Sequence, residues 1–320
     1  MVTAIAAIAL MALSSCGGLE QGGGDVAAGS LAESVSLEGA SYTVGSKDFD
    51  EQLVLCNIAI VALRSVGAEV TERCDLGGTN AVRQALLGGE IDAYWGYTGT
   101  AWVSFFQQEP IPDSQALYEA VKTRDAEENN IVWLERSQFN NTYAFAVEKA
   151  QAAELGLKTL ADMAAYVPEH PQPGLVCVES EYLNRDDGLS GLLEAYDFQI
   201  PEGSLLTLNP PGVIYQAVAG PQCLFGEVFT TDGRIAALNL EVLEDPKNYH
   251  IIYNAAIAMR KEAFEQNPAV AEVFAPIANA LTQDEMTGLN ALVSAEGQDP
   301  KAVATTWLRE QGFIGAGEGG

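Results

Sequence analysis

The sequence predicts an α/β protein of two lobes joined by two crossings of the chain. Three observations predict it. Residues 42–97 alternate strand, helix, strand, helix, strand, the order of an open parallel sheet. The middle of the chain holds a second α/β unit. After Pro246 the run IIYNAAIAM reads as a strand returning to the first unit. Lobe 1 is expected at 41–144 and 247–315, and lobe 2 at 145–246. At 320 residues, each lobe has enough chain for its own core.

The elements follow in order. YTVGS (42–46) is a short first strand. Asp48, with Glu51 three residues on, has the spacing of a capping box, and an apolar helix runs from about Phe49 to Val66, where Leu53, Cys56 and Ile60 are spaced for burial. Gly67 ends it, and residues 68–73 form the second strand. Thr79 is placed to cap a helix that stops at the pair Gly88-Gly89. IDAYWGY is the third strand and runs into the turn YTGT. Ligands of such sheets sit beyond the carboxyl ends of strands, where Lys47 and the segment Tyr97–Thr100 lie. TYAFAVEKA then reads as a strand leaving the first lobe. Residues 152–167 read as one helix, LVCVES as a strand, VIYQAVAG as a short helix, and CLFGEVF as a strand ending at the tight turn TTDGR. From Glu262 to about Arg309 the chain is helical, with a break near Gln298–Pro300.

Composition narrows the function classes. Hydrophobic residues make up 48% of the chain and the formal charge is −28. So acidic a surface repels nucleic acid. It also means that any site for a carboxylate needs local Lys or Arg. The first thirteen residues carry no charged side chain, and Leu13-Ser14-Ser15-Cys16 follows the apolar run. That is the pattern of a secretory signal, too short for an ordinary span, and the cysteine at its end resembles the bacterial lipobox. A signal at 1–15, a lipid on Cys16 and a flexible tether over 16–40 are expected, the last because residues 17–40 hold seven glycines and show no periodicity. Four cysteines remain, Cys56, Cys74, Cys177 and Cys223, an even number suited to two disulfides in an exported chain. The nearest pairing is Cys56 with Cys74 and Cys177 with Cys223; four buried thiols are the alternative. Two histidines and no CxxC pair give a poor metal set.

Chemistry-bearing motifs of enzymes are missing. Gly77-Gly78-Thr79 lacks the spacing of a phosphate loop, no GxSxG is present, and the acids show no arrangement suited to acid–base work. Trp95 and Trp102 read as aromatic packing beside YTGT, and Arg83 and Arg234 as structural cations. The ordered segments VGSKDFDEQ, LGGTNAVRQALLGGEIDAYWGYTGT, NNTYAFAV, EYLNRDDGLSGL, TTDGRI and YNAA, across residues 41–312, resemble the substrate-binding proteins of osmoprotectant ABC transporters, the glycine betaine, carnitine and choline group.

The resemblance implies a type II two-lobed periplasmic-binding-protein fold that carries solute to a membrane permease without transforming it, at the outer face of the cytoplasmic membrane. No cofactor and no metal are expected, and a monomer is. It assigns an aromatic cage to Tyr97, Tyr143, Phe229 and Tyr253, with Phe229 where tyrosine is usual, and a carboxylate grip to Lys47, Thr100 and Arg185. The physics agrees. A quaternary ammonium has no N–H to donate, and its methyls favour ring faces. Arg185 offers a planar fork, Lys47 a point charge and Thr100 a hydroxyl. Glycine betaine is the leading ligand, with carnitine, proline betaine, ectoine and choline left open. The runners-up are a choline-preferring carrier, an extracellular betaine-ester hydrolase and a surface lipoprotein outside transport.

Overall fold

The computed structural model describes residues 28–185 and 187–315. The signal at 1–15 and the lipidation residue Cys16 lie outside the described residues. Among the described residues ten strands are laid down in chain order: β1 Ser41–Gly45, β2 Glu69–Arg73, β3 Ala93–Tyr97, β4 Ile131–Arg136, β5 Tyr143–Glu148, β6 Val176–Val178, β7 Leu205–Thr207, β8 Phe225–Phe229, β9 Leu240–Val242 and β10 Ala255–Arg260. They form two five-stranded sheets, in the orders β2-β1-β3-β10-β4 and β7-β6-β8-β5-β9.

The two orders share one plan. In each sheet three parallel strands are followed by an antiparallel strand that has crossed from the other unit. In the first sheet that strand is β10, which pairs with both β3 and β4. In the second it is β5, which pairs with both β8 and β9. The register sets Tyr97 opposite Ala255 and Tyr143 opposite Phe229. The carboxyl ends of the parallel strands and the starts of the crossing strands therefore meet in one region, which is where the chain concentrates its aromatic and charged motifs.

Four helices accompany the strands of the first sheet: α1 Ser30–Ser34, α2 Asp50–Ser65, α3 Thr79–Gly88 and α4 Ser114–Asn129. α2 is buried on nearly all sides, between the sheet and the helix Pro300–Glu310. A helix apolar all round suits such a place, and each fully buried Leu, Ile or Val in it is worth about 1.5–3 kcal/mol. Leu53 is only half-buried, whereas Cys56 and Ile60 are fully enclosed. Both disulfides close, Cys56–Cys74 and Cys177–Cys223. The first ties α2 to the end of β2 and the second ties β6 to the segment leading into β8.

The structure corrects several local expectations. Residues 28–40 are not a free tether. Leu31, Val35 and Leu37 are buried in the main core, and Ser30 and Leu31 donate backbone N–H groups to the carbonyls of Gly312 and Phe313. Three apolar side chains among the glycines are enough to pin the segment. The Asp48–Glu51 capping box does not form, because Phe49 is the N-cap and the Glu51 carboxylate turns inward. Thr79 is the first residue of α3 and does not cap it; Gly78 holds that position. The helix expected over 152–167 is two, Lys149–Leu155 and Leu160–Tyr166. Gly156 at φ 70° ends the first, and a Thr159–Asp162 capping box starts the second.

Candidate functional site

The motifs converge on one cleft of about 660 Å³, and all seven residues assigned in sequence line it: Lys47, Tyr97, Thr100, Tyr143, Arg185, Phe229 and Tyr253. Tyr97 and Phe229 are the last residues of β3 and β8, Tyr143 is the first of β5, and Tyr253 stands two residues before β10. Lys47 follows β1, and Arg185 follows the short helix Ser180–Asn184 beyond β6. Gly99 of the YTGT turn admits Tyr253: a Cβ there would sit 2.8 Å from that ring and 2.5 Å from the Ile252 carbonyl.

The rings touch in a continuous wall. Tyr143 lies 5.1 Å from Phe229 and 5.7 Å from Tyr253, the latter edge to face. Phe49, absent from the assigned set, stacks between Tyr97 at 6.4 Å and Phe229 at 5.3 Å. It is a fifth ring of the wall, and its signal was the SKDFDEQ segment itself. Tyr182 backs Tyr143 at 4.8 Å from outside the lining. Trp95 is core, edge to face with Phe274. Arg83 is held by Asp125, and Arg234 by Asp232 and Asp50.

The polar groups are arranged unequally. Arg185 is buried and forked by its own neighbour: its Nε and Nη2 donate to the two Asp187 oxygens, each at 2.7 Å. Its Nη1 donates to Glu181 at 3.2 Å. Tyr253 donates its hydroxyl to Asp187 at 2.6 Å, which fixes that ring. Most of the Arg185 fork is therefore spent on the protein itself, on Glu181 and Asp187, which the sequence offers as ion-pair partners of Arg185 and which are partly or wholly buried with it. Lys47 is different. It is 6% exposed, its ammonium stands 5.1 Å from the Tyr97 ring, and no described carboxylate lies within ion-pair distance of it. Thr100 is buried at the start of the π-helix Thr100–Phe105.

Behind the rings sits Glu51, 3% exposed. Its Oε1 accepts from the Tyr97 hydroxyl at 2.7 Å and the Asn141 amide at 2.8 Å. Its Oε2 accepts from Thr231 at 2.6 Å and Asn290 at 2.8 Å. Burial raises this carboxyl above its ordinary value, and the hydrogen bonds from Thr231, Tyr97, Asn290 and Asn141 act the other way.

Burial also lowers the Lys47 ammonium from 10.5 to about 8, with Glu181 opposing and Arg185 reinforcing the shift. Lys47 is thus positive at neutral pH and loses its proton as pH climbs past about 8. A carboxylated ligand is expected to bind about tenfold more weakly at pH 9.5 than at pH 7, the loss of one charge-assisted contact. Titration across pH checks this, and Lys47→Met should flatten the profile at the weak level. Stability moves the other way. A base whose folded value is depressed contributes stability above its unfolded value and loses it as pH falls through the folded one, so for Lys47 the fold gains between about 8 and 10.5.

Two α/β halves closing a wall of aromatic rings and a buried cation over one cleft are the arrangement of a solute-binding protein. The chain belongs to the family of substrate-binding domains of ABC-type glycine betaine transport systems, whose pattern it matches over residues 40–310. It is 36% identical over 282 residues to the glycine-betaine-binding protein of Pseudomonas aeruginosa, covering 87% of this chain and 90% of that one. It is 34% identical over 298 residues to the glycine betaine-binding protein YehZ of Escherichia coli, covering 89% and 97%. The solved structure of apo YehZ superposes with a TM-score of 0.64 at 32% identity, over 86% of this chain and 100% of that chain. The type II periplasmic-binding fold is thereby established.

Proposed function

We propose that this protein captures glycine betaine outside the cytoplasmic membrane and delivers it to an ABC permease, without transforming it. The observation that carries the reading is the convergence of Tyr97, Tyr143, Phe229 and Tyr253 with the Lys47 ammonium, which has no ion-pair partner among the described residues, in one cleft. The names of the Pseudomonas aeruginosa and Escherichia coli relatives support the same ligand.

The rings receive the trimethylammonium, each desolvated contact worth about 2 kcal/mol. Lys47 and Thr100 receive the carboxylate. Arg185 contributes its charge and the outward side of its fork while Asp187 holds it still. The site joins residues of both sheets, so ligand favours the closed arrangement by its preference for that state. Phe229 supplies a ring face without a hydroxyl, which leaves the cation attraction in place. A lipid on Cys16, action as a single copy and the lobe limits at 41–144, 145–246 and 247–315 belong to the same proposal.

Calorimetric titration of the purified protein with glycine betaine and choline in parallel tests it. Tight betaine binding with weaker choline binding is the expected result. Comparable choline binding would remove the carboxylate grip from the reading, and silence for both would overturn it.

A further inference from the structure

We infer that Glu181 is a built-in competitor for the ligand's carboxylate, and that it sets how strongly the cleft prefers a zwitterion to a plain cation. This rests on the betaine reading above. The Glu181 carboxylate holds one cation of the proposed carboxylate grip, Arg185, and its charge acts on the other, Lys47. Its Oε1 accepts from the Thr79 hydroxyl and from Arg185 Nη1, and its Oε2 accepts from the Thr79 backbone N–H at 3.1 Å, at the first turn of α3. It sits so close to the chain there that a Cβ on Gly78 would lie 2.6 Å from Oε2.

Among the described residues, the cleft lining holds two cations, Arg185 and Lys47. Asp187 locks the Nε and Nη2 side of the Arg185 fork, so Nη1 is the part turned to the cleft, and Glu181 covers it. Lys47, buried and without an ion-pair partner among the described residues, is the second cation facing the same place. Burial by itself would raise the Glu181 carboxyl; the Lys47 charge, the Thr79 hydrogen bonds and the Arg185 charge instead hold it below its ordinary value. Asp48, Glu179 and Asp187 are the other acids around this corner. Glu181 is therefore an anion in an anion's position.

Two carboxylates cannot share those donors without strong repulsion. Glycine betaine adds Arg185 to its grip only when Glu181 turns away, and the side chain has room to do so: it is 29% exposed and belongs to a helix of five residues. The measured affinity is then the intrinsic one reduced by the fraction of time the donors stand free. Choline has no carboxylate and leaves Glu181 where it is. The acid thus discounts betaine selectively, and its charge adds to the attraction for a bare cation.

Glycine betaine and choline are titrated into the wild type, Glu181→Gln and Glu181→Ala, with thermal melting to show that each variant is folded. Both variants are expected to bind glycine betaine about tenfold more tightly and choline no more tightly than the wild type. If the wild type binds betaine and neither variant binds it more tightly, Glu181 is a clasp between α3 and the second sheet, and the inference is overturned. If choline gains as much as betaine, selectivity does not reside here and the inference is likewise overturned. If the wild type binds no betaine at all, the functional reading itself fails and this one falls with it.

Discussion

Replacing Tyr143 by alanine is expected to weaken glycine betaine binding about a hundredfold, while Tyr143→Phe leaves it near the wild-type level. The residue is the junction of the aromatic wall. It contacts Phe229 and Tyr253 within the lining and Tyr182 behind it, and the Arg185 guanidinium carbon lies 5.6 Å from its ring. Losing the ring removes one cation–π contact, worth about 2 kcal/mol when desolvated, and frees its neighbours to shift. Together these approach about 2.8 kcal/mol, or two decades of affinity. The phenylalanine variant keeps the ring and its packing. Calorimetry on the two variants separates the ring from the hydroxyl, and equal losses in both would show that the phenol, not the face, does the binding.

Glu51→Ala is expected to cost about 4 kcal/mol of folding stability and to loosen the ligand as well. Removing a buried acceptor strands its donors, at about 1–3 kcal/mol each. Tyr97, Asn141 and Thr231 would lose this partner at once, while Asn290 keeps a bond to the Thr231 carbonyl. Glu51→Gln preserves the shape but sets an amide N–H₂ against donors, so a smaller loss is expected. Urea unfolding measures both. The binding loss follows because the Tyr97 hydroxyl is anchored on Glu51, and a ring free to turn no longer presents a fixed face. A variant as stable as the wild type would show that water replaces the carboxylate.

What could be read in the sequence divides along physical lines. Strands with continuous apolar character, such as Ala93–Tyr97 and Ala255–Arg260, declared themselves, and so did the alternation that makes the two sheets. Leu205–Thr207 and Leu240–Val242, three residues each, were missed, and so was the six-residue Ile131–Arg136, whereas Val176–Val178 was read from its continuous apolar run. The aromatic residues of the site were legible because ring, turn and position recur together. The acids were not. Among 44 Asp and Glu residues, Glu181 and Asp187 are marked locally as partners of Arg185, but as a surface pair and not as part of the cleft, and nothing local marks Glu51 as a buried acceptor. The role of Glu51 arises from partners as much as 239 residues away, such as Asn290. The capping-box spacing at Asp48 and Glu51 misled for the same reason, since the tertiary partners of Glu51 outweigh one local cap.

The strand plan also fixes an order of assembly. Every strand of the second sheet comes from the unbroken stretch 143–242, whereas the first sheet needs β10, from 255–260, between β3 and β4. A chain emerging amino-terminus first therefore completes the later sheet before the earlier one. Until β10 arrives, the facing edges of β3 and β4 lack their hydrogen-bonding partner, and exposed edges of that kind recruit foreign strands. The first half of the molecule waits, incomplete and vulnerable, for the last strand to close it, and the cleft cannot exist before that moment.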